Sequence, residues 1–199
     1  MHERDESQAL FRALAMMSSL EWRLTCVGSL KRDPSTAERL RVRVRSDGLE
    51  DRVTFAGEVS VATLATLYDG ADLFVLPTLH EGYGMAVAEA LARGLPVVST
   101  ATGAIADLVS RDAGTDSAAS ASDDDARLRT HGAAGLLVPP GDHEALAAAL
   151  ALALGDAHVR EGLAHGARRV RDRLPSWEDA SARMSEALGD VGGSGGCRR

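Results

Sequence analysis

Two carboxylates eight residues apart, Glu81 and Glu89, bracket a glycine loop and the start of an apolar run in His80-Glu81-Gly82-Tyr83-Gly84-Met85-Ala86-Val87-Ala88-Glu89-Ala90-Leu91-Ala92. The run from Met85 is strong helix-forming sequence, and two glycines two apart suit a tight turn ahead of it. A helix apolar on nearly every side is expected to be buried, so Glu89 is expected to be a desolvated carboxylate that needs hydrogen-bond donors. It lies roughly 7–8 Å along the helix from Gly84, where free amides and the positive dipole end favour an anion. A ligand with phosphate at the helix start and hydroxyls one and a half turns along satisfies both features. A nucleoside diphosphate has that layout: phosphate on the amides of Met85, Ala86 and Val87, ribose hydroxyls on Glu89. Glu81 then faces whatever the distal phosphate carries. The plainer reading makes Glu81 a capping carboxylate, Glu89 a buried salt-bridge partner, and Gly82 and Gly84 turn residues.

The elements around this stretch must position it. Asp72-Leu73-Phe74-Val75-Leu76-Pro77 reads as a buried strand stopped by proline. Upstream, helix Ala9–Ser19, strand Trp22–Val27, helix Pro34–Ser46, strand Arg52–Ala56 and a helix from Ser60 to Tyr68 are expected, with Ser60 as its cap. Downstream, the motif helix Gly84–Arg93 is followed by strand Pro96–Ser99, helix Ala104–Ser110, strand Leu136–Val138, and helices capped by Asp142 and over Ala157–Arg173 and Ser176–Leu188. This alternation predicts an α/β fold, a Rossmann-like parallel sheet with helices on both faces and a helical C-terminal end. A doubly wound sheet has its first strand in the middle. No strand precedes the helix at Ala9, so that first strand is expected to be missing.

Residues 111–132 are rich in Ser, Ala and Asp and predict a flexible insertion. Asp123-Asp124-Asp125 lacks spaced ligands and a glycine turn, so no metal is expected. Residues 189–199 read as a flexible tail, and residues 1–8 as a disordered or truncated lead. The net charge of −7 argues against nucleic acid as a partner. Of the Lys and Arg residues only Lys31 is lysine, so no other lysine is present to bind phosphate. Cys26 and Cys197 give no disulfide framework, and a reducing cytoplasm is expected. The start lacks the pattern of a signal peptide, and the longest apolar run, Ala145 to Leu154, is too short to be a transmembrane segment. No Ser-His-Asp order, His-Glu-x-x-His or Cys-x-x-Cys supports hydrolytic or zinc chemistry.

Glu-Gly-Tyr-Gly-Met-x-x-x-Glu-Ala, with its Glu-x7-Glu spacing, resembles the donor-binding C-terminal domain of group 1 retaining glycosyltransferases of GT-B fold. Further matches come in the family's order: Val53-Thr54-Phe55-Ala56-Gly57, Tyr68 with Ala71-Asp72, Gly94-Leu95-Pro96-Val97-Val98, Gly135-Leu136-Leu137-Val138-Pro139-Pro140 and Ser176-Trp177. The resemblance covers residues 9–188, expected to be a nucleotide-sugar donor-binding domain. It implies one half of a GT-B fold that transfers a sugar, with retention, from a nucleoside-diphosphate sugar to an unknown acceptor. The donor is a substrate, and neither cofactor nor obligatory metal is implied. In these terms Glu81 is the catalytic residue that recognises the sugar, and Glu89 holds the ribose. Gly82, Gly84, Met85, Ala86, Val87, Thr102 and Gly103 hold phosphate and sugar, and Val59 lies in the base-binding loop.

The family also has an arginine and a lysine on the diphosphate. Here Arg4-Asp5-Glu6 stands where that basic stretch ends, and the lysine is absent. The acceptor domain is absent too, which implies a truncated enzyme or an N-terminal partner domain on another polypeptide. The competing expectation is a non-catalytic nucleotide-sugar-binding module or inactive remnant. A sugar-nucleotide epimerase or a nicotinamide dehydrogenase fits less well, because Glu-x7-Glu is present and Gly-x-Gly-x-x-Gly is not.

Overall fold

Short apolar runs punctuated by glycine and proline fold as strands, and the alanine- and leucine-rich runs between them as helices. The computed structural model describes residues 3–110 and 134–174. The insertion at 111–132, the helix expected over Ser176–Leu188 and the tail lie outside the described residues. The order is α1 (Glu3–Ala15), β1 (Leu24–Val27), α2 (Pro34–Ser46), β2 (Val53–Gly57), α3 (Val61–Asp69), β3 (Phe74–Leu76), α4 (Met85–Ala92), β4 (Val97–Thr100), α5 (Ile105–Ser110), β5 (Gly135–Val138), α6 (His143–Gly155) and α7 (Ala157–Arg171). Asp33, Ser60, Asp142 and Asp156 cap α2, α3, α6 and α7, each accepting from amides two or three residues on.

The first helix departs from expectation at both ends. It begins at Glu3, inside the stretch read as a lead, and ends at Ala15 rather than Ser19. No glycine or proline interrupts residues 3–8. Met16 to Leu20 instead form tight turns, with Met17 N bonded to Leu14 O at 3.1 Å and Leu20 N to Met17 O at 3.2 Å. The Trp22 indole N–H donates to Met17 O at 3.1 Å, and the Arg52 guanidinium stacks over Trp22 while donating to Leu20 O at 2.8 Å. These contacts fix the turn into β1.

All strand pairs are parallel, but they form two sheets, β1-β2 and β3-β4-β5. The split falls between β1 and β3, where the order of a doubly wound sheet calls for its first strand. Helices cover both faces of the larger sheet. On one face Val98, Leu136 and Val138 pack with Leu10, Phe11 and Leu14 of α1 and Ala145, Leu146, Ala149 and Leu150 of α6; the same core extends to Val53 and to the half-buried Leu24, Cys26 and Phe55 of the smaller sheet. On the other face Val97 and Leu137 pack with Val87 and Leu91 of α4, Ile105 of α5 and Val170 of α7. Adjacent residues of one strand thus feed opposite cores, as the two-residue period requires. No helix among the described residues is long and apolar enough to cross a membrane.

Candidate functional site

The site is built at the carboxyl end of β3, where open parallel sheets place their ligands. Past Leu76 and Pro77 the chain runs through Thr78 to the loop 79–84 and into α4. Two hydroxyls from β4 hold the start of this loop: Ser99 Oγ donates to Leu76 O and Thr100 Oγ1 to Thr78 O. Thr78 Oγ1 in turn bonds the backbone of His80, at 3.1 Å to O and 3.3 Å from N. Thr78, Ser99 and Thr100 are the buried polar residues among those described, and all three serve this loop. Burying a hydroxyl is tolerated when it is hydrogen-bonded, so these three convert burial into a fixed loop position.

At the other end, Gly84 is the N-cap of α4 with φ 65°, and a Cβ there would press on Leu108 and Ile105 of α5 at 3.0 and 3.2 Å. Both the left-handed backbone and the close approach call for glycine. Gly82 differs from the sequence reading: it has no positive φ, and a Cβ on it would meet open space. The turn needs one glycine rather than two. Gly103, with φ +48°, is the third fixed point, because a Cβ there would lie 1.8 Å from Glu81 O. The loop rests directly on Gly103.

Glu81 is half-buried, and its Oε1 accepts from Gly84 N at 3.1 Å, with no bond to its other oxygen among the described residues. The carboxylate therefore clasps its own loop while keeping a free acceptor. The first intrahelical bond of α4 runs from Ala88 N to Gly84 O at 2.8 Å, and no side chain caps the helix. The amides of Met85, Ala86 and Val87 remain without an acceptor among the described residues, the arrangement that favours an anion. Beside them Leu79, His80, Glu81, Gly82, Thr102 and Gly103 line a depression of about 460 Å³. Thr102 Oγ1 is buried there and has no hydrogen-bond partner among the described residues.

One expectation fails here. The motif helix is not buried all round: Val87, Ala90 and Leu91 enter the core, whereas Met85 is 76% exposed and Glu89 is exposed as well. Glu89 is thus not a desolvated carboxylate, because the helix lies at the rim of the sheet with one side uncovered. It pairs with no arginine among the described residues, and its charge lies close enough to the Tyr68 hydroxyl on α3 to act on it. Arg93 stacks over the Tyr68 ring at 5.1 Å and pairs with Asp69 at 3.5 Å. Burial, and then the Glu89 charge, push the Tyr68 hydroxyl above its ordinary pKa of 10.0. Val59 is half-buried just past β2, outside the lining of the depression. The structure therefore brings Glu81, Gly82, Thr102 and Gly103 together, with Gly84 and the α4 amides adjoining. Glu89 stands apart with Tyr68. Sequence reasoning missed the approach of Glu89 to Tyr68 and the bonds from the Ser99 and Thr100 hydroxyls to the loop, since a contact across 21 to 23 residues leaves no local spacing to read. No cluster of metal-ligating side chains occurs among the described residues.

A family model described as glycosyl transferases group 1 matches residues 1–156. The chain belongs to the group 1 glycosyltransferases. Among curated members of this family, D-inositol 3-phosphate glycosyltransferase from Xylanimonas cellulosilytica is 31% identical over 164 residues, covering 82% of this chain and 34% of its own. Among solved structures, sucrose-phosphate synthase from Thermosynechococcus elongatus superposes with a TM-score of 0.76 at 28% identity, covering 95% of this chain and 43% of that one. Anabaena HepE in complex with UDP-glucose gives a TM-score of 0.76 at 21% identity, covering 96% and 46%, a likeness of fold alone. The chain has the fold of the C-terminal domain of a GT-B group 1 glycosyltransferase, and it spans about a third of the length of such a curated relative.

Proposed function

We propose that this domain binds the nucleoside-diphosphate sugar of a retaining hexosyl transfer, the acceptor being held by a domain outside the sequence described here. The observation that carries the reading is the set of unsatisfied amides at the start of α4, opening beside a depression that holds the free oxygen of Glu81 and the unpaired hydroxyl of Thr102. The distal phosphate sits on the amides of Met85, Ala86 and Val87, where the helix dipole stabilises the charge that builds on the leaving diphosphate. Glu81 accepts from sugar hydroxyls, and Thr102 Oγ1 bonds the sugar or the phosphate oxygen. The open backbone at Gly82 gives the sugar room, and Gly103 seats the loop that faces it. Glu89, exposed near Tyr68, accepts from the ribose hydroxyls, and Val59 lies on the side of the base.

In the reaction the bond between the anomeric carbon and the diphosphate oxygen breaks, and the acceptor oxygen bonds to that carbon on the same face. The acceptor proton leaves with the diphosphate. The chain's share of the work is positioning and charge stabilisation, in a reducing, cytoplasmic setting consistent with its cysteine usage. The missing phosphate-binding lysine and the chain's length relative to its relatives support reading it as the donor half of a larger enzyme. Calorimetry of the 199-residue chain against UDP-glucose, GDP-mannose and ADP-glucose tests this. Saturable binding of one donor, lost in Glu89→Gln, is expected. Absence of binding to all three selects an inactive remnant. In a form that carries an acceptor domain, Glu81→Ala abolishes transfer while the nucleotide still binds, and equal loss of nucleotide affinity overturns the role given to Glu81.

A further inference from the structure

Arg93, the C-cap of α4, follows Glu89 by four residues, the spacing and order in which a carboxylate and a guanidinium pair most readily on a helix. The backbone keeps the two one turn apart, since Arg93 N bonds Glu89 O at 3.3 Å. Yet Glu89 makes no ion pair among the described residues. The guanidinium turns instead to the neighbouring helix, where it stacks over the Tyr68 ring at 5.1 Å and pairs with Asp69 Oδ1 at 3.5 Å.

Tyr68 and Asp69 are adjacent at the end of α3 and hold Arg93 in different ways. The Tyr68 ring stands 5.9 Å from that of Phe74 in β3, and both pack on the core that Val87, Ala90 and Leu91 of α4 enter. The ring is therefore a fixed platform beside α4. The Asp69 side chain is 72% exposed, so its ion pair is a weak hold by itself. A ring contact and an ion pair acting together outweigh a single exposed pair at i,i+4 spacing. Arg93 accordingly lies across the gap between the helices rather than along its own.

We infer that Tyr68 and Asp69 are positioning residues that hold Arg93 away from Glu89 and so keep that carboxylate open to ligand hydroxyls. The inference rests on the reading of Glu89 as the acceptor for the ribose. Paired with Arg93, the carboxylate would have an oxygen engaged in a charge-assisted bond, and a neutral hydroxyl would have to displace a guanidinium to reach it. Held by α3, Arg93 leaves that oxygen to the donor.

The restraint is tested first without ligand, by NMR of the Arg93 side chain in the 199-residue chain. In the parent its nuclear Overhauser contacts run to the Tyr68 ring; in Tyr68→Leu/Asp69→Asn they are expected to move to the Glu89 side chain. Contacts with Glu89 already present in the parent, or absent from the variant, overturn the inference. Should Tyr68→Leu unfold the chain, Asp69→Asn alone, at an exposed position, reads the same movement at smaller size. Calorimetry then uses whichever of UDP-glucose, GDP-mannose and ADP-glucose binds the parent. The double variant is expected to bind about two- to threefold more weakly, and adding Arg93→Gln to it is expected to restore the parent affinity. Unchanged affinity in the double variant, or a loss that persists in the triple one, overturns the inference. A parent that binds none of the three donors defeats the ribose reading instead, and the NMR contacts still decide whether α3 restrains Arg93.

Discussion

Gly103 and Gly82 face one another across the loop and obey different constraints. A methyl group on Gly103 would sit 1.8 Å from Glu81 O on a left-handed backbone, so Gly103→Ala must push the loop off its seat. We expect a loss of about 1–3 kcal/mol in urea denaturation, together with loss of donor binding. Gly82→Ala meets open space, and its stability stays within about 0.5 kcal/mol of the parent. Its effect should appear only in donor affinity. Tyr68 gives a pH prediction. Its pKa is raised in the folded state, so its contribution to stability is present below about pH 10 and is lost as pH rises through the folded value. Ultraviolet-monitored alkaline titration should show Tyr68 ionising late, and Glu89→Gln should bring it part of the way back. A full return would contradict burial as the leading cause.

At the level of elements, β5 shows how one strand holds two layers of helices. Leu136 and Leu137 are neighbours in sequence, yet the first packs with α1 and α6 and the second with α4, α5 and α7. Each to alanine should cost about 2–5 kcal/mol in thermal or urea unfolding, although the two belong to different cores. The Asp142 carboxylate accepts from Ala145 N at 2.9 Å at the start of α6. Asp142→Ala is expected to cost about 1 kcal/mol. This cap, that of α3, and the order of strands and helices were legible because capping offsets, glycine and proline breaks and apolar periods are local. The facing of α4 was not. Its alanines suit a core or a rim equally, and only the position of α5 and α7 decides that Val87, Ala90 and Leu91 point inward while Glu89 remains in the open.

For the molecule as a whole, stability is uneven. The larger sheet has a core on each face, whereas the smaller one has buried residues on one face only and an exposed edge strand. Hydrogen exchange under native conditions should therefore show β1–β2 opening as a unit at lower free energy than β4–β5. Equal opening energies would mean that the two sheets unfold together. The sequence by itself determined the class of fold, the family and the residues around the glycine loop, since each rests on residue types at short, fixed separations. Tertiary structure alone decided that Glu81 is a clasp with one free oxygen, that Gly103 is its seat, that Glu89 is exposed near Tyr68 and that the sheet is divided. Those features depend on approaches between segments far apart in the chain, which no spacing within a single segment encodes.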